Sequence, residues 1–191
     1  MKKLNAQISN QAYKPKKSRI DFGDYKYLKA ASTKILATYL NDNNKTIIVG
    51  VKGTDRMKDL ISDLTLILGP IEKDKIFIKA HRKIKRLLDN YGISYNKVYL
   101  TGHSLGGSIV LWIGQKIKNV QIYAYNPGIT LQFLNKMNLN KSNINIIYKS
   151  GDPISNKIAL VSIPKAHVTK IKSETSNPKA EHSITNLIEA L

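Results

Sequence analysis

Residues 97–107, Lys-Val-Tyr-Leu-Thr-Gly-His-Ser-Leu-Gly-Gly, decide the fold. Lys97 to Thr101 has the composition of a short strand, and Leu105 to Lys118 is apolar almost all round, as a buried helix is. Between them Gly102-His103-Ser104-Leu105-Gly106-Gly107 leaves room for a sharp turn only. A strand, a tight turn and a helix in that order can hold a serine in strained backbone at the end of a sheet. Gly102 and Gly106 have a steric reason, since a side chain at either place would collide where the strand and helix backbones meet.

The alternation continues downstream. Val120 to Tyr125 reads as a strand stopped by Asn126-Pro127-Gly128, residues 129–137 as helical, Ile144 to Tyr148 as a strand, and 182–190 as a last short helix. Upstream, residues 34–40 and 45–51 are β-branched runs joined by Asn-Asp-Asn-Asn, which predicts a hairpin. Residues 55–68 place Met57, Leu60, Ile61 and Leu64 on one helical face, ended by Gly69-Pro70. The clearest helix is 74–91, with Phe77, Ala80, Ile84, Leu87, Leu88 and Tyr91 on one side and Lys79, Arg82, Lys83 and Arg86 on the other. A short helix over 3–13 precedes a basic, proline-broken loop at 14–17. Strands alternating with helices predict an α/β fold, a mostly parallel sheet with helices on both faces and ligand sites at the carboxyl ends of its strands.

Length and composition bound the rest. A chain of 191 residues suits one domain, 1–191, with a single core. The start, Met-Lys-Lys-Leu-Asn-Ala-Gln, is positive but no apolar stretch follows, and no run is long enough to span a bilayer, so neither a signal peptide nor an anchor is expected. The expected location is inside a cell, with release by lysis or carriage in a particle as the routes out. The absence of cysteine excludes disulfide scaffolds, thiol nucleophiles and iron–sulfur clusters together. No metal-ligand spacing is found and no cofactor is expected. The formal charge of +18 favours polyanions. Lysine, asparagine and isoleucine are all plentiful, however, which AT-rich coding produces unaided. No nucleic-acid-binding motif is present, and specific nucleic-acid binding is not expected.

A serine hydroxyl needs an imidazole to take its proton, and the imidazole needs a carboxylate to orient it. In this turn arrangement the acid and then the histidine follow the serine in the chain. Asp152 is the only aspartate after Ser104, and it stands directly after strand 144–148; Glu174 and Glu181 are substitutes that follow no strand so closely. Of four histidines, His81 precedes the serine on the basic helix, and His103 adjoins Ser104 and points away from its hydroxyl. His167 reads as a strand residue in Ala-His-Val-Thr-Lys-Ile, which leaves His182, in a loop-rich stretch, as the preferred base. Backbone N–H donors for a developing oxyanion are expected from Leu105 and from the segment after strand 45–51, Lys52-Gly53-Thr54, where Thr54 can offer its N–H and hydroxyl.

These segments in this order resemble the class 3 (fungal-type) lipases, serine esterases of the α/β-hydrolase fold. Gly102 to Gly107 matches the family's nucleophile turn, Lys52-Gly53-Thr54 its oxyanion segment, and Asp59 with Asp63 its following acidic pair. Gly151-Asp152-Pro153 matches the acid segment and His182 to Asn186 the histidine segment. The resemblance runs from about residue 34 to the end of the chain. Two departures stand out: Lys52 replaces the usual arginine, and a short Gly-Pro turn stands where larger members carry a helical lid, which implies a minimal lid.

The implied activity is a carboxylester hydrolase acting on acylglycerol, phospholipid or small esters through an acyl-enzyme on Ser104. Two other readings use the same residues differently: a basic protein that binds anionic membrane or nucleic acid without turnover, and an acyltransferase with another acceptor than water. Plainer readings stand beside these. Glu181 reads as a surface charge, Asp59 and Asp63 as capping residues, Trp112 as core, and the basic face of helix 74–91 as a solvated surface. That face is also the one through which anionic membrane could be contacted. Oligomeric state is not legible.

Overall fold

The computed structural model describes residues 1–54, 75–91, 94–129, 133 and 137–191. Helix α1 (Lys2–Gln11) leads through a 3-10 turn at Lys16–Ser18 to strands β1 (Lys26–Tyr27), β2 (Leu36–Asn41) and β3 (Thr46–Val51). Then follow α2 (Lys75–Tyr91), β4 (Lys97–His103), α3 (Leu105–Ile113), β5 (Val120–Tyr125) and β6 (Ile144–Lys149). A 3-10 turn at Asn156–Leu160, β7 (His167–Ile171) and the short helices α4 (Pro178–His182) and α5 (Ile184–Glu189) complete the described elements.

The seven strands lie side by side in chain order. β1, β2 and β3 pair antiparallel, the last two as the expected hairpin, and β3 to β7 pair parallel. Parallel neighbours laid down in sequence and joined by right-handed crossovers put every crossover on the same face. Helix α3 and, outside it, α2 therefore cover one face, where Leu100, Val110, Ile122 and Ile146 form the main core. The opposite face is closed by the two ends of the chain. Ile8 of α1 and Ala12 just after it pack on Ala37, Tyr39 and Ile48, while Ala6 packs with Ile184 and Leu187 of α5 over Tyr125 and Ile147. Gly50 makes the first of these contacts close, because a Cβ there would lie 2.7 Å from the Ile8 carbonyl oxygen. The expectation of an α/β sheet with helices on both faces is borne out.

Register aligns the carboxyl ends. Val51 pairs with Gly102, His103 with Tyr125, Tyr125 with Ile147, and Lys149 with Ile171. Whatever follows these residues emerges along one rim of the sheet.

Two expected elements differ. The helix expected over 105–118 stops at Ile113: the N–H groups of Gln115 and Lys116 bond to the carbonyls of Trp112 and Ile113, three residues back, so the chain tightens into turns. The helix expected over 182–190 is two helices. Ser183, in extended backbone at φ −67° and ψ 128°, breaks the run and caps α5 through its hydroxyl oxygen, which accepts from the Asn186 N–H at 3.4 Å. His182 consequently ends α4 rather than beginning a helix. The helix expected over 55–68, with Asp59, Asp63, the Gly69-Pro70 turn and the minimal lid, lies outside the described residues, as does most of 129–137.

Candidate active site

Ser104 is the turn residue between β4 and α3, at φ 59° and ψ −129°. Few residues other than glycine occupy that region, and holding serine there stores on the order of 1–3 kcal/mol. Three contacts over-determine it. The Ser104 N–H donates to the Tyr125 carbonyl at 3.0 Å, and its own carbonyl accepts from Gly128 at 3.0 Å and Ser108 at 3.2 Å. Both expected glycine constraints are met by backbone. A Cβ on Gly102 would overlap the Gly106 carbonyl, and one on Gly106 would overlap the Val51 carbonyl at the end of β3. The second collision is with the neighbouring strand, so Gly106 also sets how near the segment after β3 can come.

Three side chains form a continuous run. His182 Nε2 lies 2.9 Å from Ser104 Oγ, and His182 Nδ1 lies 2.8 Å from Asp152 Oδ2. Asp152 Oδ1 accepts the Ile154 N–H at 2.9 Å, so both carboxylate oxygens are engaged in a fully buried position. With the aspartate ionised, Nδ1 carries the proton that it donates, and Nε2 is left as an acceptor for the serine O–H. The serine is 2% and the histidine 6% exposed, a dry setting in which such bonds are strong. The structure thus brings together Ser104, Asp152 and His182, each at or beyond the carboxyl end of a strand.

The segment carrying His182 is held from two sides. His103 Nε2 lies 2.6 Å from the His182 carbonyl and Asn126 Nδ2 donates to the Glu181 carbonyl at 2.9 Å, while the Asn126 side-chain oxygen is itself fixed by accepting the Lys149 N–H at 3.0 Å. Asn126 takes a positive φ of 39° at the end of β5, where asparagine is tolerated. Burial pushes the His103 imidazole down to about 3, and repulsion from the His182 ring adds to it, against the opposing pull of the His182 carbonyl. His103 is therefore neutral with its proton on Nε2, and its Nδ1 accepts from the Tyr13 hydroxyl at 3.1 Å. His103 does point away from the serine hydroxyl, into contacts its position in the sequence does not reveal.

Glu181 corrects an expectation. It is not a surface charge but 1% exposed, with Oε1 accepting the N–H groups of Glu174 and Thr175 at 3.3 and 3.2 Å. The equally buried Lys149 lies 3.9 Å away. Glu174, the other substitute acid, is 71% exposed. His167 is an exposed residue of β7, and His81 packs edge-on to Trp112.

Leu105 is the first residue of α3, and its N–H donates to no described residue. Thr54 follows β3 beside the same turn: a Cβ on its neighbour Gly53 would lie 2.6 Å from the His103 carbonyl and 3.1 Å from the Gly106 nitrogen. Among the described residues no three His, Asp or Glu gather as metal ligands do, and no helix is long and apolar enough to cross a membrane.

A seven-stranded, mostly parallel sheet with a strained serine turn at its carboxyl rim is the α/β-hydrolase architecture, and comparison with solved structures agrees. The Lip2 lipase of Yarrowia lipolytica superposes at a TM-score of 0.56 with 16% identity, over 90% of this chain and 77% of that one. A lipase from Rhizopus microsporus var. chinensis gives 0.54 with 19% identity, over 81% and 65%. A Rhizomucor miehei lipase propeptide complex gives 0.58 with 15% identity, over 96% and 75%. At such identities the likeness is one of fold. The family model described as Lipase (class 3) matches residues 48–127, the stretch from β3 through the serine turn to the end of β5. Over that stretch the chain is similar to the class 3 lipases, and over its length it shares the fold of the fungal lipases. No curated protein sequence matches it.

Proposed function

We propose that this chain is a carboxylester hydrolase that cleaves acylglycerol or phospholipid esters through an acyl-enzyme on Ser104. The observation that carries the reading is the unbroken run from Ser104 Oγ through the His182 ring to Asp152, with 2.9 and 2.8 Å links. As an ester carbonyl carbon meets Oγ, neutral His182 takes the hydroxyl proton on Nε2, and the new C–O bond places negative charge on the carbonyl oxygen. The Leu105 N–H, together with the N–H and hydroxyl of Thr54, receives that charge; donors fixed beforehand in a dry site lower the barrier by several kcal/mol, about 3–4 for one such donor. Asp152 steadies the imidazolium through Nδ1. His182 then returns the proton to the departing alcohol oxygen as its bond to carbon breaks. Water enters, gives its proton to His182 and attacks the acyl carbon, and the acid leaves as Ser104 regains its hydrogen. The groups come from residues 54 to 182, so residues 1–191 act as one catalytic unit.

The test pairs a fluorophosphonate probe with a ladder of p-nitrophenyl esters. Ser104→Ala is expected to lose labelling and to lower turnover by at least about a thousandfold while leaving the fold intact. Labelling that persists in this variant removes Ser104 as nucleophile and the reading with it.

A further inference from the structure

Helix α2 carries Lys75, Lys79, Arg82, Lys83 and Arg86 along one stripe, at i, i+4, i+7, i+8 and i+11. Its opposite stripe is committed to the core: Phe77, Ala80, Ile84 and Leu87 are buried, and Phe77 and His81 stand edge-on to Trp112 of α3. The five cations line an open groove of about 510 Å³ whose remaining described wall is Ile78, and Ile76 beside them is 48% exposed. None of the five lies within ion-pair distance of a carboxylate among the described residues. The one acid of the helix, Asp89, sits 2.9 Å from a different lysine, Lys85.

This arrangement weakens the helix as a helix. Like charges one turn apart, at 75 and 79, 79 and 83, and 82 and 86, repel. Abundant lysine is general in this chain, but arginine is not: two of its four arginines stand on this stripe. The guanidinium fork fits phosphate oxygens in pairs where an ammonium presents a point charge. Isoleucines set among the cations complete an interfacial pattern, since apolar side chains can enter a headgroup boundary while the cations meet its phosphates. A nucleic-acid backbone offers those isoleucines nothing.

We infer that the α2 stripe is a docking face for an anionic lipid surface. The choice of lipid over another polyanion rests on the lipolytic reading, but docking is measured without turnover. The full chain carrying Ser104→Ala is sedimented with vesicles of phosphatidylcholine alone or mixed with phosphatidylglycerol. Binding to the mixed vesicles only, weakening as salt rises, is expected. Lys79→Gln, Arg82→Gln and Arg86→Gln together should weaken it by on the order of a hundredfold, about fivefold for each cation removed. The same triple change in the chain with Ser104 intact should leave hydrolysis of a soluble short-chain p-nitrophenyl ester unchanged.

Equal vesicle binding by the triple variant and its parent overturns the inference. So does tighter binding to duplex DNA than to vesicles, lost in the same variant. If the triple variant fails to fold by circular dichroism, Lys75→Gln with Lys83→Gln poses the same question. A chain that docks yet cleaves no ester keeps the docking face and refutes the proposed chemistry; one that cleaves soluble ester and does not dock does the reverse.

Discussion

Glu181 adjoins the imidazole-bearing residue, yet its carboxylate faces away from it, toward Lys149 and the N–H groups of Glu174 and Thr175. At 3.9 Å the Lys149 contact is an ion pair rather than a hydrogen bond, and among the described residues Glu181 Oε2 has no hydrogen-bond partner. Both charges are buried, so each depends on the other: removing one partner of such a pair costs about 3–5 kcal/mol, whereas removing both costs far less. Glu181→Gln keeps the Oε1 acceptor and leaves the buried Lys149 opposed only by the exposed Glu174 carboxylate, also 3.9 Å away. That variant, and Lys149→Met, should each lower the urea midpoint strongly, and the double variant should lie above the sum of the two losses. Turnover should fall with little change in KM, since the pair holds the His182 segment and touches no substrate. Additive losses in the double variant would mean that the two charges do not interact. Residue order made Ser104, Asp152 and His182 legible, because a single aspartate and few histidines follow the serine. It left Lys149 and Glu181 illegible, because their meeting depends on the course of a chain that separates them by 32 positions.

Among the elements, strand boundaries are legible in the sequence and helix ends are not. The β-branched runs at 45–51, 120–125 and 144–148 carry their own boundaries in turn residues, whereas an apolar helix such as α3 runs on in sequence past the point where its hydrogen bonds tighten at Gly114. β1, two residues long, has no periodicity to read. Helix α1 shows a dependence of another kind. It has little amphipathic pattern, with Asn5, Ser9 and Gln11 buried beside Ala6 and Ile8, and it is held by close approach to the sheet. Gly50 permits that approach. Gly50→Ala sets a Cβ 2.7 Å from the Ile8 carbonyl oxygen and 3.2 Å from Ile8 Cγ2, neither at the end of a flexible side chain, so α1 must lift. The expected loss is about 1–3 kcal/mol, read from the denaturant midpoint. An unchanged midpoint would show that α1 contributes nothing to holding the sheet.

Across the whole molecule the same burial that dries the site makes stability depend on pH. His103 holds its ordinary value of 6.5 when unfolded and is pushed down to about 3 when folded, so between those values the unfolded chain binds a proton that the folded chain does not. Stability from this group is therefore complete above pH 6.5 and is lost as pH falls toward 3, by on the order of 1.4 kcal/mol for each pH unit. The exposed Asp21, lowered chiefly by the Tyr27 N–H, acts in the same direction only below its usual 3.8, whereas His81, lowered by burial and by Lys116 and Lys85, shares the upper part of the window with His103. With +18 of formal charge at neutrality, further protonation also adds repulsion. The two contributions separate by substitution. His103→Gln can still donate to the His182 carbonyl but cannot titrate, and it leaves the rest of the charge in place. Urea midpoints measured from pH 7.5 down to 4.5 should fall less steeply in the variant, by about one proton's worth of slope. Equal slopes in the two proteins would mean that the His103 ring accepts its proton without unfolding, and that burial does not keep it neutral.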